Sequence, residues 1–367
     1  MVMITRVLLE SDAPFHFGKR GVGLNETEVT LPADGLFSAL CIAFQMVYGT
    51  DALTSLLARF PRDKGQAKTP PFRITSLMPT ANSVDLLPMP QLRPKITTVG
   101  LTARKQWKEI AWVSRHVFQK LIAGQDLSDD EEVVERRGAQ NVPYTIQDGA
   151  VWLDYTAYRH FEGESTVLWQ TDIRPRVTVD RVSTASTAFS SGGLYFSRKH
   201  KAGLYALIRW ETEDAQLRQQ VEQAWCALGE SGIGGERSYG YGQFQPTFTN
   251  IADDLGTKDN PYFTTLSPYL PQPSERAVFD ENARYEIVLR RGWMSTPGYS
   301  HLRRPTIRMV GTGAVLRQLS DPGAIGALAN ATPDILQGTE SIRIYRYGLA
   351  WPVPVAEAAL IDDQQGA

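Results

Sequence analysis

The sequence predicts an α+β fold with two unequal domains, and three observations carry that prediction. The chain opens on strand, loop and helix, the first half of a β-α-β-β-α-β unit. Over residues 214–249 a helical pattern runs into a glycine-rich loop and an alternating strand leaves it. Beyond residue 275 shorter strand-like runs with their own glycine turn repeat the arrangement on a smaller scale, which implies duplication. At 367 residues the chain exceeds one typical core. The expected division is 1–250, a linker over 251–275 marked by Pro261, Pro268, Pro271 and Pro273, and 276–367.

Each element has a local reason. Residues 2–9 (V-M-I-T-R-V-L-L) are apolar and partly β-branched, so they read as a buried first strand. The loop 11–27 carries Pro14, Gly18, Gly21 and Gly23 beside His16, Lys19 and Arg20. Pro32-Ala-Asp34 then opens a helix, with Asp34 as the expected N-cap and Leu36, Leu40, Ala43 and Val47 along one face. A second short helix over 51–60 ends at Pro61, and 72–78 reads as a strand. Three prolines make 87–94 an extended connector. Trp107, Ile110, Val117 and Leu121 form an apolar stripe that predicts one surface helix over 101–123, followed by a charged connector over 126–137.

Strands are expected at 151–159 and 166–179. The second places Arg174, Arg176, Thr178 and Asp180 on one face and Ile173, Val177 and Val179 on the other. The Ser/Thr/Gly-rich segment after it suits an exposed hairpin that returns through a strand at 194–197. A strand over 203–210 and a helix over 214–229 lead into the glycine loop, and strands at 283–291, 306–316 and 342–355 complete the chain.

The formal net charge of -2 gives no overall basic signature, yet the cations are unevenly placed. Residues 93–120 hold seven Lys/Arg against one acid, 172–209 seven against two, and 284–308 six against one. Such segregation gives basic and acidic faces. The two cysteines, Cys41 and Cys226, fall in apolar helical patterns and provide neither a disulfide framework nor zinc spacing. No uninterrupted apolar segment of membrane-spanning length is read and the N-terminus lacks a cleavage pattern, so a cytoplasmic protein is expected. No metal or other cofactor is expected.

Residues 232–242, G-I-G-G-E-R-S-Y-G-Y-G, are the most informative stretch. Five glycines allow close backbone approach, and Arg237, Tyr239 and Tyr241 add a cation and two aromatic faces. A dinucleotide fingerprint or P-loop needs strand, loop and helix in the reverse order, so both are excluded. Arginines on phosphates, backbone amides in glycine turns and aromatics on bases are the means by which single-stranded RNA is held.

In order along the chain, the N-terminal strand, Phe15-His-Phe-Gly18, Asp34-Gly-Leu-Phe-Ser-Ala-Leu40, Leu87-Pro-Met-Pro90, Arg174-Pro-Arg-Val-Thr-Val-Asp-Arg181, the loop 232–242, Arg290-Arg-Gly-Trp293 and Val310-Gly-Thr-Gly313 resemble the RAMP superfamily. Within it they are most similar to the fourth subunit of the type III-A (Csm) CRISPR effector complex. The resemblance implies two ferredoxin-like, RRM-type domains, the C-terminal one reduced, with a thumb-like hairpin inserted in the first. It implies a non-catalytic subunit that binds the 5′ repeat-derived tag of crRNA and joins the large polymerase-like subunit to the adjacent RAMP backbone subunit. The RNA-binding residues it implies are Lys19, Ser38, Arg174, Arg176, Asp180, Arg181, Thr184, Gly232, Gly234, Gly235, Arg237, Ser238, Tyr239, Gly240, Arg290, Arg291, Gly311 and Gly313. Met89 departs from the family pattern, which has lysine there. Two rival readings stand beside this one: a metal-independent repeat endoribonuclease using His16 as general base, and a protein-only scaffold.

Overall fold

The computed structural model describes residues 3–18, 26–62, 69–96, 106–138, 140–161, 165–182, 184–252, 255–256, 260–294, 298–299, 301–319, 325–338 and 343–360. The first apolar run forms strand β1 (Met3–Glu10), whose alternation sends Val7 and Leu9 to one face of a sheet and Ile4 to the other. Helix α1 (Ala33–Ala58) follows and merges the two helices expected over 33–60, with a kink at Gly49 (φ 83). Because it continues across that glycine, α1 is long and apolar enough by length and composition to cross a membrane, contrary to expectation. Here it packs its Leu36, Phe37, Leu40 and Phe44 into the protein core.

Strands β2 (Phe72–Ile74), β3 (Met78–Ala81), β4 (Val84–Pro88) and β5 (Trp112–Ser114) come next, followed by helix α2 (Arg115–Ala123). The single helix expected over 101–123 is therefore broken. Residues 106–109 are helical, but Trp112-Val113-Ser114 pairs with β4, an interaction invisible to a local apolar stripe. The connector expected over 126–137 ends in β6 (Val134–Arg137), which pairs with β7 (Gln140–Ile146). β8 (Val151–Leu153) is shorter than the expected strand because the Asp154 carboxylate caps a helical turn, accepting from Ala157 N–H at 3.0 Å. β9 (Trp169–Val179) and β10 (Ser186–Phe196) form a hairpin, and β11 (Gly203–Trp210), helix α3 (Ala215–Ser231) and β12 (Gln245–Ile251) close the first unit.

The large sheet runs β12-β1-β11-β3-β4-β5-β8-β7-β6, with β2 also paired to β11. Around β1 the order β12-β1-β11-β2 and the helices α1 and α3 reproduce a β-α-β-β-α-β unit, every pairing antiparallel. α1 and α3 cover one sheet face over Val7, Leu204, Ala206 and Ile208. The opposite face carries Tyr205 and Leu207 against α2 and strands of the second unit.

The second unit begins earlier than expected. β13 (Tyr262–Thr265), inside the stretch read as linker, is the central strand of a three-stranded sheet because Phe263 and its neighbours are apolar or small and fully buried. β14 (Ile287–Trp293) pairs with β15 (Arg303–Val310) across a bulge between Arg290 and Gly292. β16 (Val315–Arg317) and β19 (Pro352–Val355) flank β13, while β17 (Gly326–Asn330) pairs with β18 (Tyr345–Leu349). The two strand halves expected about Gly311 and Gly313 are β15 and β16, and the run expected over 342–355 is divided between β18 and β19. Among the described residues this unit has no α-helix.

The units are sewn together by charge as well as by apolar contact. Asp34 is not the N-cap of α1: that position is Pro32, without a side-chain cap. Its fully buried carboxylate instead binds Arg290 at 2.8 Å and 2.9 Å and Arg346, both from the second unit.

Candidate nucleic-acid interface

Helix α3 begins with Asp214, whose carboxylate accepts from Leu217 N–H at 3.0 Å; that bond, with Arg59 beside it, holds the carboxyl below its usual range. The helix ends at Gly232, where the glycine loop starts. The loop lies on the first loop of the chain. Gly235 N–H donates to the His16 carbonyl at 2.9 Å and Gly242 N–H to that of Pro14 at 2.8 Å. Gly234 has φ +91, and a Cβ there would stand 2.4 Å from the His16 carbonyl oxygen. Intramolecular packing alone therefore demands glycine at this position. Gly240 differs, since an added Cβ would meet nothing within 4 Å.

His16 is buried at 3% exposure, and its Nδ1 donates to the Gly192 carbonyl at 2.8 Å. Phe15 and Leu194 exchange backbone hydrogen bonds at 2.9 Å and 2.8 Å. The first loop, the glycine loop and the base of the β9–β10 hairpin are thus one assembly, with His16 at its centre.

Arg176 crosses from the hairpin to the glycine loop. It pairs with Glu236 at 3.0 Å and lies over the rings of Tyr239 at 4.0 Å and Tyr241 at 5.4 Å. Arg174 pairs with Asp172 at 3.3 Å and lies over Tyr195 at 5.0 Å. Burial, with the neighbouring Tyr241 hydroxyl, pushes the Tyr195 phenol up to about 12, so it stays a neutral hydrogen-bonding group. The result is a seam of guanidinium groups and aromatic faces along the join between hairpin and loop.

The hairpin projects beyond this seam with both faces in water. Arg174 and Thr178 are exposed as expected, but so are Ile173, Val177, Val179 and Val182. Asp180, Arg181 and Thr184 form the tip. There the Asp180 carboxylate accepts from Val182 N–H at 2.9 Å, a contact that fixes the turn.

A cavity of about 420 Å³ opens beside the loop, between α1, α3 and the second unit. Ser38 and Arg237 line it, and the Ser38 hydroxyl donates to the Asp34 carbonyl at 2.8 Å. Arg237, Ser238 and Tyr239 are exposed. Arg290 turns inward to Asp34, while Arg291 is exposed and gives its carbonyl to Arg346 at 3.2 Å. Gly311 and Gly313 lie outside the cavity lining: Gly311 N–H donates to the Glu286 carbonyl at 2.9 Å, and a Cβ on Gly313 would stand 2.8 Å from the Met89 carbonyl. Lys19 falls outside the described residues. Three participants escaped the sequence reading: Tyr195, Arg304 and Arg346. Arg304 sits in the basic run 284–308, whereas Tyr195 and Arg346 have no local signal.

The family described as the CRISPR Csm4 C-terminal domain matches residues 258–355. A "CRISPR system Cms protein Csm4" of Thermococcus onnurineus is 24% identical over 324 residues, covering 88% of this chain and 91% of that protein. A protein of the same description from Mycobacterium tuberculosis is 23% identical over 303 residues, 82% of this chain and 84% of its own. Residues 258–355 thus match the Csm4 C-terminal domain family, and most of the chain is similar to Csm4 proteins. The chain is also similar in fold to a chain in the crystal structure of the Csm3–Csm4 subcomplex of a type III-A CRISPR-Cas interference complex. The TM-score is 0.65 at 14% identity, over 96% of this chain and 99% of the other. A chain of the Csm1–Csm4 cassette with AMPPNP gives 0.53 at 16% identity, over 96% and 98%.

Proposed function

We propose that this chain is the non-catalytic crRNA-binding subunit that holds the 5′ repeat-derived tag in a type III-A complex. Its two units are ferredoxin-like, the second reduced, and they join a large polymerase-like subunit of the Csm1 kind to a backbone subunit of the Csm3 kind. The solved Csm3–Csm4 and Csm1–Csm4 assemblies of its relatives support both partners. The observation that carries the RNA reading is the seam at the hairpin base, where Arg174 and Arg176 lie on Tyr195, Tyr239 and Tyr241 beside the exposed Arg237. Cations interleaved with aromatic faces grip a phosphate backbone and stack on bases whatever their sequence. The nuclease alternative has little support: His16 is buried and donates one ring nitrogen to a backbone carbonyl.

The test is to purify the chain with its partners and sequence the RNA that accompanies it. The expected result is a discrete RNA with one common 5′ end, lost when Arg174 and Arg237 are both changed to alanine. Affinity should fall with salt by about 0.7 log units per neutralised phosphate. RNA with random 5′ ends, or equal retention by the double variant, refutes the reading. Metal-independent cleavage of labelled repeat RNA that disappears in His16→Ala would establish the nuclease instead.

A further inference from the structure

Asp34, Arg290, Arg304 and Arg346 form a cluster in which three guanidinium groups share one carboxylate. Asp34 is fully buried and bound by Arg290 and Arg346, so among the described residues Arg304 feels the charge of Asp34 without forming an ion pair of its own. Its Nε is buried with no hydrogen-bond partner among the described residues. The glycine of Arg290-Arg-Gly-Trp293 makes this placement possible, since a Cβ on Gly292 would stand 2.6 Å from Arg304 Nη2. The bulge after Arg290 thus leaves room for a cation that no described carboxylate binds directly. Burial, and then the like charge of Arg346, push Arg304 down to about 10 against the opposing pull of Asp34, with Arg290 adding to the drop.

A buried charge is ordinarily paired, and a cluster with surplus cations in a cavity wall is built for an anion. Arg304 lines the cavity of about 420 Å³ that Arg237 borders from the glycine loop, and Leu53, Leu57, Ile233 and Tyr345 supply apolar wall between them. That combination suits one nucleotide unit, with phosphate on the guanidinium and base against the apolar wall.

We infer that Arg304 receives a phosphate group of the bound single-stranded RNA inside this cavity, with Asp34, Arg290 and Arg346 holding the site open around it. The inference rests on the RNA reading above and adds a residue and a place to it. A merely structural Arg304 would lower stability when removed; an anion-receiving one leaves it unchanged or raised, because its neighbours are cations.

The experiment compares the full chain with Arg304→Gln and Arg304→Lys, measuring melting temperature and single-stranded RNA affinity across a salt series. Arg304→Gln should bind roughly tenfold more weakly, with a salt slope shallower by about 0.7, and should melt no lower; Arg304→Lys should recover the slope. An unchanged slope in Arg304→Gln overturns the inference, as does a loss of melting temperature that Arg304→Lys repairs without restoring the slope. If the unsubstituted chain binds no RNA, the reading of the preceding section falls, and inorganic pyrophosphate decides the anion site. A pyrophosphate-dependent rise in melting temperature that Arg304→Gln abolishes supports it, and no rise, or the same rise in both, overturns it.

Discussion

Replacing Asp34 with asparagine removes the only carboxylate, among the described residues, from a cluster of three arginines. Arg346 is 2% exposed and cannot rehydrate, whereas the Arg290 side chain is 27% exposed and can turn to water. Breaking a buried pair from one side costs about 3–5 kcal/mol, and the asparagine carbonyl still accepts one hydrogen bond, so the loss should lie near 3 kcal/mol. At about 2–4 °C per kcal/mol, melting should fall by roughly 6–12 °C. Because α1 belongs to the first unit and both arginines to the second, the loss should fall on their docking and split unfolding into two steps. Urea titration followed by tryptophan fluorescence reads this, since Trp351 is buried in the second unit and Trp225 in the first. Adding Arg346→Met should restore at least about 1 kcal/mol by removing the stranded charge. A loss below about 1 kcal/mol for Asp34→Asn, or a double variant weaker than the single one, would refute the charge argument.

Three further outcomes are expected. Gly234→Ala should cost about 2 kcal/mol by calorimetry, since it combines positive φ with a backbone clash, and Gly240→Ala about 1 kcal/mol for φ alone; equal costs would contradict the packing described. Arg176 and Glu236, with side chains 17% and 12% exposed, should show a coupling of about 1–2 kcal/mol in a double-mutant cycle of Arg176→Met and Glu236→Gln, and additivity would mean that the pair is not formed in solution. Burial pushes Cys41 up to about 12 from 9.0. The fold favours its neutral thiol, so this contribution to stability is complete below pH 9 and is lost as pH rises towards 12. At pH 8 its alkylation should lag that of Cys226, which is exposed; equal rates measured by mass spectrometry would contradict it.

What the sequence disclosed was what is periodic or local. β1 and β11 alternate, α1 and α3 carry apolar faces, and the glycine loop lies between helix and strand as its composition requires. The broken helix over 101–123 was illegible because Trp112-Val113-Ser114 takes its conformation from β4 and β8, distant in sequence. Asp34 has the composition of a cap and is diverted by an arginine 312 residues away. In the candidate site the arginines and tyrosines were legible as types, but their pairing was not. Arg176 meets Glu236 across 60 residues, and neither position carries a periodic mark of the other. Prolines at 261, 268, 271 and 273 read as a linker because composition does not reveal that Phe263 fills a core.

Beyond its base, where Phe15 pairs with Leu194, the β9–β10 hairpin is a two-stranded ribbon whose long edges carry no further strand among the described residues. An open edge offers unpaired backbone groups to any passing strand, and the valines on this one make adhesion worse. Pro175 withholds an N–H in the middle of β9, and Arg174 and Arg176 set like charges on either side of it. Two copies of the chain brought edge to edge would therefore meet a missing donor and mutual repulsion. The ribbon thus discourages self-association along the strand whose valines stand in water.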